Sequence, residues 1–242
     1  MRPRTFAIAN QKGGVGKTTT AINVAACLAE AGERALVVDL DPQANATSGL
    51  GERANGSSSI DLLDGAPLRE LAKPTRFANL DLVPAKPDLA GTAAELARRG
   101  DGERYLAEAL ATDGDYSFVF VDCPPSLGPL TVNALAAADR VLVPLQAEYY
   151  ALEGLAQLVR SVELIRARLN PGLAIAGVIL TMVDRRTRLA ADVDAEAVSR
   201  VSERLGGGPA EQLPGLLVLQ KLAPTPPGFP RRPGVAKKRP LA

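Results

Sequence analysis

Histidine and tryptophan are absent from this 242-residue chain, and aromatic residues make up only 4 % of it. The lack of histidine excludes His-based general acid–base catalysis and histidine metal ligands. The two cysteines, Cys27 and Cys123, lie in apolar segments without metal-ligand spacing, so we expect free, buried thiols in a reducing cytosol. No apolar run reaches the ~18 residues of a membrane span, and no signal-peptide pattern begins the chain. These absences predict a cytoplasmic protein without a membrane anchor.

Short apolar, β-rich runs alternate with longer helical patterns, while the net charge of +1 does not by itself point to nucleic acid. Such alternation predicts an α/β fold, a mostly parallel sheet with helices on both faces. The predicted strands are Thr5–Ala9, Ala35–Asp39, Leu80–Val83, Ser117–Val121, Val141–Pro144 and Leu173–Leu180. The predicted helices are Thr18–Ala31 (stopped by Gly32), Tyr105–Ala111, Leu130–Ala138, Leu152–Leu169 and Ala190–Leu205. The polar stretch Gly51–Ser59 is predicted to be a surface loop.

A glycine-rich loop, Lys12-Gly13-Gly14-Val15-Gly16-Lys17-Thr18-Thr19, lies between the first predicted strand and helix. Its glycines allow backbone N–H groups to converge on phosphate oxygens, and the helix N-terminus adds a favourable dipole. Lys17 is predicted to contact the β- and γ-phosphates of ATP, and the Thr18 hydroxyl to ligate Mg²⁺. The spacing matches the Walker A pattern of P-loop NTPases if Gln11 replaces its first glycine. Lys12 is an additional positive charge, which defines a deviant Walker A loop.

Four further segments make the resemblance specific. They are Val38–Asn45, Asp122–Ser126, Gln146–Gly154 and Leu180–Asp184. With the loop, they make the chain from about Thr5 to Leu205 resemble the ParA/Soj family of chromosome- and plasmid-partitioning ATPases. The resemblance implies that Lys12 reaches the nucleotide of a second subunit, so that ATP binding and homodimerisation are one event.

The resemblance implies specific roles for the acidic residues at the strand ends. Asp41 corresponds to the switch-I carboxylate that positions or activates the attacking water, and it lies beyond a strand end, where α/β sheets place ligands. Asp122 fits the Walker B role of holding Mg²⁺ through water, followed by a turn that resembles switch II at Pro124-Pro125. Asp39 is expected to be structural, with a pairing to the phosphate loop as the alternative. Phosphoryl transfer needs mainly positioning and charge neutralisation, so Lys12, Lys17 and Asp41 can serve without histidine.

Two segments keep two interpretations each. Met182 matches the family position beside the adenine, and packing in the core is an equal alternative. The segment Glu148–Gly154 corresponds to a surface near the dimer interface, or is simply a helix start with Glu153 in its first turns.

The resemblance fails near Gly206. Residues 206–242 contain eight prolines and six Lys/Arg against one acid, Glu211, which predicts a Pro-rich basic tail, largely disordered, after a 1–205 ATPase domain. Only Leu213–Leu222 can pack, and Leu216–Leu219 could supply a strand. The family's closing adenine-pocket segment and helix are not recognisable. A genuine divergent tail and a reading-frame change near Gly206 both explain this, and we favour the second, which translation of the other frames would test.

The resemblance implies a slow, Mg²⁺-dependent ATPase that binds non-specific DNA on the nucleoid and segregates DNA with a ParB-type centromere-binding partner. Arg185, Arg186 and Arg188 are the DNA-contact candidates, ahead of the basic tail. The alternative is a nucleotide-dependent binding module with impaired hydrolysis. A MinD-type membrane ATPase is disfavoured because prolines break the terminal helix it would need. An iron–sulfur reductase relative is disfavoured because Cys27 is misplaced for a subunit-bridging pair.

Overall fold

A computed structural model describes residues 2–53, 56–98, 102–111, 115–146, 151–182 and 219–220. Their strands form one eight-stranded sheet in the order β3-β4-β2-β5-β1-β6-β7-β8. β3 pairs antiparallel with β4 at one edge, and the other neighbours are parallel. The strands are β1 Arg4–Ile8, β2 Ala35–Asp39, β3 Lys73–Pro74, β4 Leu80–Val83, β5 Phe118–Asp122, β6 Arg140–Gln146, β7 Ala174–Thr181 and β8 Leu219–Gln220.

Helices cover both faces of this sheet, and the predicted α/β architecture is confirmed. The described helices are α1 Lys17–Glu30, α2 Asn45–Gly49, α3 Ser59–Leu63, α4 Leu68–Leu71, α5 Leu89–Leu96, α6 Tyr105–Ala111, α7 Pro129–Ala137 and α8 Ala151–Arg168. The smaller core lies under α1 and α2, and the larger one under α3 to α8. No helix within the described ranges is long and apolar enough to cross a bilayer.

The central strand β2 shows why its sequence is continuously apolar. All five of its residues are buried. Leu36 and Val38 belong to the larger core, whereas Ala35 and Val37 belong to the smaller one. Because successive side chains of a strand point to opposite faces, a strand covered on both faces needs apolar residues at consecutive positions.

The prediction that both thiols are buried is wrong for Cys27, which lies in helix α1. Its small residues Ala21, Ala25 and Ala29 are buried against the sheet. Cys27 lies on the opposite side and is exposed, while Cys123 is buried and free as expected. The helical period places Cys27 on the solvent-facing side of α1. Apolar neighbours in the sequence do not show that a residue lies on the buried face of a helix. After α1, Gly32 adopts a positive φ of 94°, which agrees with the predicted helix stop.

The segment 51–59 is not wholly a surface loop, because its last two serines are buried. The Ser58 hydroxyl caps α3 by accepting from the Ile60 N–H (3.3 Å), and Asp61 Oδ2 accepts from the Ser58 N–H (2.7 Å). The Ser59 N–H donates to the Pro84 carbonyl (2.8 Å). A capping box therefore begins a helix where composition alone indicated a loop.

Beyond Met182 the described chain consists of β8. Leu219–Gln220 pairs parallel with Ile179–Leu180, so this part of the predicted 206–242 tail extends the sheet. The proposed strand Leu216–Leu219 overlaps it at Leu219. The predicted helix Ala190–Leu205 and the rest of the tail lie outside the described residues, so the domain boundary at 205 stays a prediction.

Candidate functional site

The candidate site lies at the carboxyl ends of three adjacent strands. The neighbours β2, β5 and β1 end beside one another, with Asp39 opposite Asp122 and Ile8 opposite Asp122 in the register. The glycine-rich loop follows β1, Asp41 follows β2, and Asp122 is the last residue of β5. The topology thus brings together the groups that the sequence analysis assigned to phosphate, water and metal.

The phosphate loop, Lys12–Thr19, leads directly into α1. Gly14 and Gly16 have φ values of 75° and 91°, in the left-handed region that favours glycine, and Gly16 is the N-cap of α1. A side chain on Gly16 would also stand 3.4 Å from Cγ2 of Thr181. The Thr181 hydroxyl at the end of β7 donates to the Val15 carbonyl (2.8 Å) and anchors the loop. No side chain makes a capping hydrogen bond at the N-terminus of α1 within the described residues.

Lys17 is held over the loop with only 6 % of its surface exposed. Its Nζ donates to the Lys12 carbonyl at 3.0 Å. Burial lowers the pKa of this amine, while the nearby Asp122, Cys123 and Asp41 oppose the shift. A buried lysine that bonds to a backbone carbonyl can exchange that carbonyl for a phosphate oxygen without leaving the site.

Asp122 is fully buried, and within the described part of the chain no hydrogen bond of good geometry reaches its carboxylate oxygens, although the Thr18 hydroxyl lies close by. Burial raises its pKa well above the usual range, and the charge of Asp39 adds to this; the Thr18 hydroxyl and Lys17 act in the opposite direction. An orphaned buried carboxylate is costly unless a cation or donor completes it. Mg²⁺ prefers oxygen ligands and retains waters, so Asp122 and Thr18 fit the predicted metal site.

Asp41 is nearly buried beyond the end of β2. Its Oδ1 accepts from the Gln43 N–H at 3.0 Å, and its own N–H donates to Asp39 Oδ1 at 3.1 Å. Asp39 also accepts the N–H and the hydroxyl of Thr47, at 2.8 and 2.7 Å. Asp39 is therefore structural, as expected. Within the described residues, the hydrogen bonds of its carboxylate go to the Asp41–Thr47 segment rather than to the phosphate loop.

Asn10 is a residue of the site that the sequence analysis missed. Its buried amide donates to the Pro144 carbonyl within β6 (2.7 Å), and its Oδ1 accepts from the Lys12 N–H (3.0 Å). It therefore joins the start of the phosphate loop to the neighbouring strand. The sequence did offer one sign of this role. Asn10 is a single amide side chain between an apolar strand and the phosphate loop, and a polar group buried there needs hydrogen-bond partners.

The remaining predicted positions have four different outcomes. Met182 is 53 % exposed with φ 54°, so the alternative that it packs in the core is wrong, and its adenine contact stays a prediction. Glu153 lies in the first turn of α8, as the local interpretation of that segment predicts. Residues 147–150 and the candidates Arg185, Arg186 and Arg188 lie outside the described residues. Lys12 is half-buried at the loop, and its role across a dimer stays a prediction.

The arrangement can bind a polyanion together with a cation. Backbone N–H groups at a helix N-terminus and Lys17 supply positive potential, while Asp122 and Thr18 supply oxygen ligands beneath them. The described residues contain no cluster of three or more Cys, Asp or Glu side chains that could hold a metal ion alone. A metal here would need ligands from water or phosphate, as Mg²⁺ does in nucleotide sites.

Comparison with known proteins agrees with this chemistry. A protein-family model described as an AAA domain matches residues 3–175. The chromosome-partitioning ATPase Soj of Thermus thermophilus is 54 % identical over 202 residues, covering 84 % of this chain and 78 % of that protein. The chromosome partitioning protein ParA of Myxococcus xanthus is 52 % identical over 197 residues, covering 80 % of this chain and 70 % of that protein.

Solved structures share the fold. Cobyrinic acid a,c-diamide synthase from Mycobacterium smegmatis with bound ADP and magnesium has a TM-score of 0.77, 42 % identity and 82 % coverage of both chains. A plasmid partition protein from Borrelia burgdorferi has a TM-score of 0.70 and 28 % identity, covering 80 % of this chain and 84 % of that one. With the family model matching most of the chain and curated partitioning proteins identical at half of the aligned positions, this chain belongs to the ParA/Soj family of partitioning ATPases.

Proposed function

We propose that this protein is a slow, Mg²⁺-dependent ATPase that dimerises with ATP, binds DNA non-specifically and segregates chromosomal or plasmid DNA with a ParB-type partner. One observation carries the proposal. The buried, unpartnered carboxylate of Asp122 lies close enough to Lys17 and Thr18 for both to lower its pKa, at the base of a glycine-rich loop that opens a helix. In the protein without a ligand, a buried carboxylate of this kind costs stability, whereas nucleotide phosphates with their cation would complete the site.

Each group has one task in this proposal. Lys17 exchanges the Lys12 carbonyl for the β- and γ-phosphate oxygens, and the loop N–H groups orient the same phosphates. Asp122 and Thr18 would hold Mg²⁺, which when bound would neutralise phosphate charge. Asp41 orients the attacking water with the carboxylate oxygen that does not accept from Gln43. Met182 contacts the adenine from the end of β7.

Steady-state ATPase assays with DNA and a ParB-type partner test the chemistry. Lys17→Ala removes the phosphate charge, and Asp41→Ala removes the water-positioning carboxylate, so both should abolish turnover. Thr75→Val, far from the strand ends that carry the site, serves as the control and should retain it. Nucleotide binding without turnover in the unmutated protein would instead support the binding-module alternative.

Size-exclusion chromatography of Asp41→Ala tests the dimer. This variant should elute as a dimer with ATP and as a monomer without it, because bound ATP is not consumed. Adding Lys12→Ala should restore the monomer while nucleotide binding persists, since the proposed Lys12 contact is to the partner's nucleotide. A monomer in all conditions for Asp41→Ala would reject the ATP-dependent dimer.

DNA retention separates the two basic surfaces. Replacing Arg185, Arg186 and Arg188 with alanine should weaken salt-dependent DNA binding, because phosphate contacts release counterions. Replacing Lys237, Lys238 and Arg239 should leave most of it. The opposite pattern would assign DNA binding to the basic tail. Nucleoid localisation of a fluorescent fusion, lost with the first set, would extend the same assignment to the cell.

A reading-frame change near Gly206 remains our proposal for the unusual end of the chain. Restoring the alternative frame should yield a family-like terminal helix and increase adenine affinity if the altered end impairs the nucleotide pocket. If neither alternative frame encodes such an ending, the divergent tail is genuine.

A further inference from the structure

A hydrogen-bond network closes the segment that carries Asp41. Asp39, the last residue of β2, is fully buried, and its carboxylate receives three donors from that segment. Oδ1 accepts the Asp41 N–H at 3.1 Å, and Oδ2 accepts the N–H and the hydroxyl of Thr47 at 2.8 and 2.7 Å. A single side chain therefore ties both ends of residues 41–47 to the end of a central strand.

Thr47 extends the network to a second strand. Its buried hydroxyl donates to Asp39 and accepts from the Ala85 N–H at 2.9 Å, just after β4. The hydroxyl hydrogen is thus committed to Asp39, because the Ala85 N–H can only donate. Valine has nearly the same shape but can replace neither bond, whereas serine can replace both.

The segment between these anchors shapes the position of Asp41. The Ala44 N–H donates to the Asp41 carbonyl (2.8 Å), and Ala44 has a positive φ of 51°. The Gln43 N–H donates to one carboxylate oxygen of Asp41. A turn containing a non-glycine residue in the left-handed region persists only where its surroundings over-determine it. The anchors at Asp39 and Thr47 provide that constraint.

We infer that Asp39 and Thr47 are positioning residues for hydrolysis, which act by fixing the Asp41 carboxylate where the attacking water must be oriented. This inference rests on the proposed role of Asp41. Neither residue needs to touch nucleotide. Because small displacements of a catalytic group cost large factors in rate, loosening either anchor should reduce kcat more than nucleotide binding.

Thr47→Val tests the inference, with Thr47→Ser as the rescue. We expect Thr47→Val to lower kcat at least about tenfold, in line with a misplaced catalytic group, while KM for MgATP changes less than about twofold. Thr47→Ser should restore most of kcat. Thr75→Val is the matched control, because the Thr75 hydroxyl donates to the Leu80 carbonyl (2.8 Å) and accepts from the Phe77 N–H (3.1 Å) near the sheet edge. It should lower thermal stability without lowering kcat.

The inference is overturned if Thr47→Val retains kcat, if serine does not rescue it, or if Thr75→Val lowers kcat equally. Should Thr47→Val not fold, Asp39→Asn carries the same test, because the amide can still accept but offers one oxygen for three donors. Asp41→Ala separates the two levels. If Asp41→Ala keeps its turnover, the proposed role of Asp41 fails; if it alone abolishes turnover, only the positioning inference fails.

Discussion

At the scale of single residues, the site concentrates charge that the fold alone does not neutralise. Asp39, Asp41 and Asp122 are buried at or just beyond neighbouring strand ends, and Lys17 is buried at the start of α1. Burial lowers the pKa of Lys17 and raises the pKa values of Asp39 and Asp122, so without nucleotide each of these three is shifted towards its neutral form. Perturbed groups gathered beside a phosphate loop are typical of functional sites, where a ligand completes the electrostatics.

The buried acids predict how stability depends on pH. Burial raises the pKa of Asp39 to about 6, against an ordinary value of 3.8. Between these values the folded state binds more protons than the unfolded state, so stability should fall as the pH rises from about 4 to about 6. Asp39 alone contributes a loss on the order of 3 kcal/mol, and Asp122 extends the decline to higher pH.

Urea unfolding of the nucleotide-free protein at several pH values measures this dependence. Asp39→Asn should remove the part of the decline between pH 4 and 6, since an amide does not titrate. A stability that rises through this interval in the wild type would contradict the prediction.

Gly16→Ala should damage the phosphate loop in two ways. Alanine at φ 91° costs about 1 kcal/mol or more, and its Cβ would come into contact with the Thr181 methyl at 3.4 Å, beside the hydrogen bond that anchors the loop. Gly32→Ala is the control, because Gly32 has φ 94° with no atom near the added Cβ. Both variants should lose stability in thermal unfolding, but only Gly16→Ala should lose affinity for a fluorescent ATP analogue. Equal affinities in the two variants would contradict this.

At the scale of elements, the sequence predicts strongly patterned segments best. The bounds of β2, β4 and α6 match the predictions, and β1, β5, β6, β7, α1, α7 and α8 lie within one or two residues of theirs. Their apolar runs and turns are local signals. The short helices α2 to α5 and the two-residue edge strand β3 were not predicted, because so few residues seldom show a clear period; α6 is the described short helix that the sequence did predict.

The candidate site followed the same rule. The loop and the two strand-end aspartates are contiguous motifs, so residue order sufficed to find them. Asn10, Thr47 and the exposed Cys27 depend on which side chains the sheet brings together or on which helix face they occupy. Thr47 is hydrogen-bonded to Asp39 at the end of β2 and to the Ala85 N–H just after β4, and no sequence-spacing rule links those three positions.

Helix α1 should depend on its contact with the sheet and with α2. Ile22 is fully buried in the smaller core, and its Cδ1 lies 2.8 Å from where a side chain on Gly49 would begin. Ile22→Ala should lower the free energy of unfolding by about 2–5 kcal/mol through lost burial and a cavity. Leu164→Ala, at a residue 57 % exposed on α8, should change it by less than about 0.5 kcal/mol. Urea unfolding compares them, and similar losses would refute the assigned packing.

At the scale of the whole molecule, Mg²⁺ and nucleotide should act as structural ligands. A non-hydrolysable ATP analogue with Mg²⁺ at a hundred times its dissociation constant should stabilise the fold by about 2.7 kcal/mol. Chelating the Mg²⁺ should remove part of this gain in a thermal melt, since Asp122 then loses its cation. Asp122→Asn should show little difference with or without the chelator. An unchanged effect of chelation in this variant would exclude Asp122 from the metal site.

The strand order also sets when this protein can begin to work during its own synthesis. The strand that leads into the phosphate loop, β1, is made before both of its neighbours, because Thr5 pairs with Val119 in β5 and Phe6 with Arg140 in β6. Pairings this distant in sequence form late, because the intervening chain must exist before its loop can close. A ribosome-bound chain that ends before β6 contains the residues of the phosphate loop but lacks one of the two strands that pair with β1. Nucleotide binding by a nascent chain would therefore indicate that β1 has already paired with β5 and β6.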